Sequence, residues 1–241
     1  MSISVVMATY NGAAFIKEQI DSILSQLPDD SELIISDDGS TDNTIAIIKA
    51  YNDPCIRLIQ NQQKKGAIGN FENGLQQASG DFIFLADQDD IWLPDKVNTC
   101  LQYLTNCDMV VADCSIVNQQ LEVIQPSMFS LYQSKPGLIP NFIRNRYVGC
   151  CMAFRKDILA IALPFPKHIP QHDIWLGFVT DLFYTSCFIP QKLLLYRRHM
   201  GNASVTSQKS PFSLGKKLQF RFNTIRYLPL LLIRKNKHRQ S

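Results

Sequence analysis

No apolar stretch in this sequence approaches the ~18 residues that a membrane-spanning helix needs. The longest late run, Leu228 to Ile233, contains Pro229. The opening residues, Met1-Ser2-Ile3-Ser4-Val5-Val6-Met7, have no basic n-region, so a secretory leader is not expected there. Among the seven cysteines none sits at two-residue spacing from another, and Cys150 and Cys151 are adjacent. That pattern suits neither a zinc site nor a disulfide framework. Reduced, mostly buried thiols in a cytosolic protein are the expectation. Acidic residues are absent after Asp181, whereas residues 182–241 hold 12 of the 24 lysines and arginines. Such a split predicts an anionic partner for the C-terminal end. No nucleic-acid motif accompanies the charge, which leaves a membrane surface as the favoured partner over nucleic acid.

What is present is 241 residues with an ordinary hydrophobic fraction of 46%, enough for one domain or a domain with an extension. The first half alternates. Short apolar runs at Ile3–Ala8, Leu33–Ile35, Ile56–Ile59, Phe82–Ala86 and Met109–Ala112 read as buried strands. Between them, Phe15, Ile16, Ile20, Ile23 and Leu24, then Ile45, Ile48 and Tyr51, then Phe71 and Leu75, recur at helical spacing, as does Asp95 to Leu104. Strand–helix alternation of this kind predicts an α/β fold with a parallel sheet covered on both faces. Ligands then bind beyond the carboxyl ends of the strands. Three polar clusters fall there: Thr9-Tyr10-Asn11, Asp37-Asp38-Gly39-Ser40 and Asp87-Gln88-Asp89-Asp90.

The last cluster is the strongest signal. Hard divalent cations take oxygen ligands, commonly one or two carboxylates plus substrate phosphates. Two carboxylates spaced by one residue after a strand can serve a metal and a ribose. An acidic turn that caps the next helix is the plain alternative, but Asp95 behind Pro94 already suits that task. Asp37-Asp38-Gly39 is also common turn chemistry, and an acidic residue there can equally accept hydrogen bonds from a nucleotide. Asp173 opens the apolar stretch Ile174–Val179. It is either a helix-start carboxylate stabilised by the dipole or a general base for a hydroxyl.

The segments Val5-Val6-Met7-Ala8-Thr9-Tyr10-Asn11, Ile34 to Asp42, and Ser79-Gly80-Asp81 through Asp87-Gln88-Asp89-Asp90-Ile91-Trp92-Leu93-Pro94-Asp95-Lys96 resemble glycosyltransferase family 2 in order and spacing. The resemblance covers roughly residues 1–200. It implies a GT-A fold, a mixed and mostly parallel sheet flanked by helices, and inverting transfer from a nucleotide-diphosphate sugar. It implies that Thr9, Tyr10, Asn11 and Asp38 hold the nucleotide and that Asp87 lies near ribose and diphosphate. Asp89 and His199 would bind Mn²⁺ or Mg²⁺, Asp173 would be the base, and His172 an acceptor or orienting group. Arg197 or Arg198 would face the phosphates, or else form a solvated basic edge. Trp92 is a candidate to stack on a sugar; Trp175 is expected in the core. The family often has proline where this chain has Ala8, and Ala-Arg-Asn where it has Ile68-Gly69-Asn70, so Lys64 or Lys65 would supply the missing charge. The Asp-Gln-Asp-Asp-Ile-Trp-Leu-Pro-Asp-Lys and Tyr-Arg-x-His patterns resemble transferases of bacterial surface polysaccharides (O-antigen or capsule), including rhamnosyltransferase-like ones.

These readings divide the chain into a GT-A domain over 1–204, with a nucleotide-sugar half (1–118) and an acceptor half (119–204), and a tail at 205–241. Ser213 to Lys235 mixes Leu218, Phe222, Ile225 and Leu231 with Lys216, Lys217, Arg221, Arg226 and Arg234. It reads as a basic amphipathic helix for an anionic membrane surface, with a glycan or polyprenyl-linked glycan as acceptor. The expected location is cytoplasmic and peripheral, on the inner face of the cell membrane. Two rivals are a nucleotide-sugar-binding scaffold without catalysis and a sugar-phosphate nucleotidyltransferase. The latter's Gly-rich, Arg-containing loop has no counterpart in Thr9-Tyr10-Asn11-Gly12-Ala13-Ala14.

Overall fold

The structure is a computed structural model that describes residues 1–143, 145–199 and 213–238. In chain order the first elements are β1 (Ile3–Thr9), α1 (Ile16–Leu24), β2 (Glu32–Asp37), α2 (Thr44–Lys49), β3 (Ile56–Gln60), α3 (Ala67–Gln77), β4 (Phe82–Asp87), β5 (Ile91–Trp92) and α4 (Lys96–Tyr103). There follow β6 (Met109–Val117), β7 (Val123–Gln125), α5 (Met128–Tyr132), α6 (Leu138–Ile143), a single 3₁₀ turn (Gly149–Cys151), β8 (Met152–Arg155) and α7 (Asp157–Ala162). The chain ends with α8 (His172–Phe183), β9 (Ser186–Arg197), α9 (Leu214–Ile225) and α10 (Leu228–His238).

The strands form one sheet in the order β3-β2-β1-β4-β8-β6-β9-β5, with β7 attached to β6. β1, β2, β3 and β4 pair in parallel, as do β6 and β9. β8 runs antiparallel to both β4 and β6, and β5 and β7 are antiparallel to their partners. The sheet is therefore evenly mixed rather than mostly parallel. The reason lies in the chain's second half, where β8 returns beside β4 against the direction of its neighbours. β1, β2 and β4 are apolar almost throughout and buried on both faces, as parallel strands under helices should be.

Register matters more than order for function. Thr9 pairs with Asp37, and Ala8 with Asp87. The three polar clusters thus leave the sheet at one level on one edge.

The tail departs from a single amphipathic helix, because the helix stops at Arg226 and restarts at Leu228. α10 packs on α7: Leu231 is fully buried, and Arg234 donates to the carbonyls of Ile161, Ala162 and Pro164. The expected boundary between 204 and 205 lies outside the described residues. Among the described residues no helix is long and apolar enough to cross a membrane.

Candidate active site

The loop after β1 is held from inside the protein. Gln88 Oε1 accepts from Thr9 Oγ1 at 2.6 Å and from the Tyr10 N–H at 2.9 Å, and Gln88 Nε2 donates to the Tyr10 carbonyl. Asn11 adopts a left-handed backbone (φ 48), and its Oδ1 accepts from the Thr41 N–H at 2.8 Å. Thr9 and Asn11 therefore spend their side chains on bracing the loop. Tyr10 alone of the three presents its ring to solvent, at 54% exposure. Gln88 is a site residue that sequence reasoning passed over; its place between two aspartates drew attention to its neighbours.

At the end of β2, Asp37 is buried and accepts from the N–H groups of Gly39 and Ser40, closing the turn. Asp38 faces the other way. It accepts from Asn61 Nδ2 and from the Gly66 N–H, both at 2.7 Å, which draws the loop before α3 towards the nucleotide-side clusters. Tyr10 and Asp38 are joined through this edge, since the Asp38 N–H donates to the Thr9 carbonyl.

The acidic loop after β4 is supported by α1 beneath it. Gln19, fully buried, donates to the Asp87 carbonyl at 2.9 Å, and Ser22 Oγ accepts from the Trp92 N–H. Burial, then the Asp89 charge and the Asp173 charge, push the Asp87 carboxyl up to about 7. Asp90 is pushed well up by burial and by the charges of Asp89 and Asp87. It accepts from the Arg197 N–H at 3.0 Å. Crowded carboxylates of this kind lose their mutual repulsion when a cation binds among them.

Two groups in this cluster carry metal-ligand chemistry. His199 Nε2 and Asp89 Oδ2 are hydrogen-bonded at 2.7 Å. A carboxylate oxygen and an imidazole nitrogen this close are ligand types that suit one divalent cation. A second group, Asp87, Asp90 and Cys150, brings one ligand atom each within 4.8 Å of one another.

Asp173 sits in the first turn of α8, where burial raises its carboxyl to about 6. The Ile174 N–H donates to it at 2.7 Å, and neighbouring backbone N–H groups hold that rise in check. Its charge acts on Asp87, which marks the two carboxylates as near neighbours. His172 beside it is only 8% exposed, stacks on Phe71 with ring centroids 4.0 Å apart, and is driven by burial down to about 3. It is a neutral, buried ring beside Asp173, and neither ring nitrogen has a hydrogen-bond partner among the described residues.

Three expectations are corrected. Trp92 is 2% exposed and packs on Phe84 in the core, because its antiparallel pairing with Leu194 turns the indole inward. It offers no face to a sugar. Arg197 is buried, ion-paired with Glu18 and stacked over Phe15, so it does not face phosphates. Asp95 has a left-handed backbone (φ 64) at the start of α4 and makes no side-chain cap. Arg198 follows β9 with its N–H on the Val117 carbonyl, next to His199. Trp175 is fully buried, as expected.

The family model described as glycosyl transferase family 2 matches residues 4–161. An uncharacterized glycosyltransferase of Nostoc sp. is 34% identical over 229 residues, which cover 87% of this chain and 70% of that one. A UDP-Glc:α-D-GlcNAc-diphosphoundecaprenol β-1,3-glucosyltransferase of Escherichia coli is 28% identical over 183 residues, 74% of this chain and 70% of the relative. Among solved structures, a fragment of S. aureus TarS in complex with UDP-GlcNAc shares the fold, with a TM-score of 0.73 at 19% identity. The likeness covers 93% of this chain and 66% of that fragment. A match over residues 4–161, together with the Nostoc relative, settles the family: this chain is a member of glycosyl transferase family 2.

Proposed function

We propose that this chain is an inverting glycosyltransferase that moves a sugar from a nucleotide-diphosphate sugar to a hydroxyl of a glycan or polyprenyl-linked glycan, in bacterial surface-polysaccharide synthesis. The observation that carries the reading is the convergence of Asp89 with His199 at the strand edge that also presents Tyr10, Asp38 and Asp87, with Asp173 of α8 close to Asp87.

In this reading Tyr10 stacks on the nucleotide base and Asp38 accepts from it. Asp87 lies against ribose and diphosphate, with Arg198 in support. Asp89 and His199 hold Mn²⁺ or Mg²⁺, which supplies Lewis acidity to the leaving diphosphate. Asp173 takes the proton of the acceptor hydroxyl. The freed oxygen bonds to the anomeric carbon from the face opposite the nucleotide, and the carbon–oxygen bond to the diphosphate breaks. A base with a carboxyl near 6 is ionised at neutral pH yet basic enough to act. The neutral His172 ring supports it.

The E. coli relative is named for a diphosphoundecaprenol acceptor, which supports a lipid-linked acceptor here. The exposed Leu218, Phe222 and Ile225 on α9, with Lys216, Arg221 and Arg226 among them, support attachment of this end to an anionic membrane surface. A cytoplasmic location on the inner face of the membrane is part of the same proposal. The nucleotide-sugar half at 1–118 and the acceptor half at 119–204 follow from the placement of the donor residues and of Asp173.

The experiment is donor binding and hydrolysis across nucleotide-sugars, beginning with UDP-glucose and dTDP-rhamnose, with Mn²⁺ or Mg²⁺ and then with EDTA. One metal-dependent donor, lost in Asp89→Ala, is the expected result. Absence of binding to every donor under every metal condition overturns the reading.

A further inference from the structure

Three neighbouring groups of the Gly149–Cys151 turn reach three different parts of the site. Gly149 lies against the first turn of α8, beside His172 and Asp173. Cys150 Sγ lies within 4.8 Å of a carboxylate oxygen of Asp87 and one of Asp90. The Cys150 carbonyl accepts a 2.7 Å hydrogen bond from Lys96 Nζ. The turn is tightly enclosed: a Cβ at Gly149 would lie 2.8 Å from His172 Nε2 and 3.7 Å from Asp173 Cβ.

Lys96 itself is unusual. Its side chain is fully buried, with the ammonium 4.6 Å from the centroid of the Trp92 ring. Its backbone is fixed as well, since the Lys96 N–H donates to Gln26 Oε1 at 2.9 Å. A buried ammonium is costly, and an apolar side chain of similar length fills such a space without that cost. Here the ammonium sits over the Trp92 ring and donates to a backbone carbonyl, and that carbonyl belongs to the turn between Asp173 and the acidic cluster.

We propose that Lys96 is a positioning residue that clamps the Gly149–Cys151 turn and thereby sets Asp173 relative to the carboxylates on the diphosphate side. This rests on the glycosyltransferase reading above. The ammonium holds the Cys150 carbonyl on one side, while Gly149 packs on the start of α8 and the Cys150 thiol lies beside the Asp87 and Asp90 carboxylates. Without the clamp the turn can shift, and an error of about 1 Å in a reacting geometry is worth about 100-fold in rate.

The test is Lys96→Met in the full chain, with Mn²⁺ and the donor that wild type hydrolyses. Three quantities are read: thermal stability, donor Kd, and the rates of hydrolysis and transfer. The expected result is a folded protein with donor Kd within about threefold of wild type and rates lower by about tenfold or more. A purely structural lysine would lower rate only in proportion to the folded fraction. Should Lys96→Met fail to fold, Lys96→Gln, a neutral side chain at the same position, is read in the same way, with donor Kd kept and rates lowered. Unchanged rates in the folded lysine variant overturn the clamp alone. A wild type that binds no donor overturns the glycosyltransferase reading, and the clamp with it.

Discussion

His199 Nε2 lies 2.7 Å from Asp89 Oδ2, although 110 residues separate the two in sequence. β9 makes this meeting possible. It runs parallel to β6, pairs with β5, and delivers its end to the acidic loop that follows β4. The Asp90 carboxylate receives the Arg197 N–H, which fixes the strand end two residues before His199.

Replacing either partner should therefore disable the same function. We expect Asp89→Asn and His199→Ala to lower kcat by about 100-fold or more, as loss of transition-state charge stabilisation does. Metal affinity, measured by calorimetry with Mn²⁺, should fall in both while the fold persists. Metal-dependent turnover at the wild-type rate in Asp89→Asn would remove this residue from the metal site.

The architecture was legible because its signals are local. Ile3–Ala8, Leu33–Ile35 and Phe82–Ala86 are apolar enough to be buried on both faces, and each ends in polar residues, so the strand ends and the edge they share could be read directly. Trp92 and Arg197 were misplaced for a different reason. Which side of a short strand faces the core depends on antiparallel partners far away in sequence, Leu194 for Trp92, and the Glu18 partner of Arg197 lies on the first helix. The break at Arg226 within the tail, by contrast, has a local cause: Pro229 at the start of α10 cannot donate to the Ile225 carbonyl, so one continuous helix is interrupted there.

Asp173 gives a pH dependence with a defined sign. The base acts when ionised, so kcat should rise with pH up to about 6 and level off above it. Stability runs the other way. A carboxyl raised in the folded state binds more protons than in the unfolded chain, so its contribution is present below the unfolded value of about 4 and is lost as pH rises through about 6. Asp173→Asn should thus be inactive yet more stable than wild type at pH 8, by roughly 1–3 kcal/mol. Denaturant melts at pH 4 and pH 8 check this; a variant destabilised at both would contradict the buried-carboxylate account.

Tyr10 and Trp92 offer a contrast between an exposed ring and a buried one. Tyr10→Ala should weaken donor binding by about 1–3 kcal/mol, the usual worth of a base–aromatic stack, with little change in melting temperature. Trp92→Ala should cost about 3–5 kcal/mol of stability through the cavity it leaves and leave the donor Kd of the remaining folded protein unchanged. Titrations with the bound nucleotide-sugar separate the two, and equal loss of donor affinity in both would put Trp92 back at the sugar.

Gly149 tests how tightly the base is enclosed. The Cβ of Gly149→Ala would sit 2.8 Å from His172 Nε2, closer than such atoms normally approach. The imidazole is held from behind by its stack on Phe71, so it has little room to retreat, and the strain passes to the start of α8. Overpacking of this kind costs about 1–3 kcal/mol. Because α8 carries Asp173 in its first turn, the same displacement moves the base away from the diphosphate side. We expect Gly149→Ala to lose about tenfold or more in kcat while donor Kd changes little, since a small misplacement acts on chemistry before binding. Paired measurements of Kd and single-turnover rate distinguish this from simple destabilisation. A variant that loses stability but keeps its single-turnover rate would mean that the helix start absorbs the methyl group without moving Asp173.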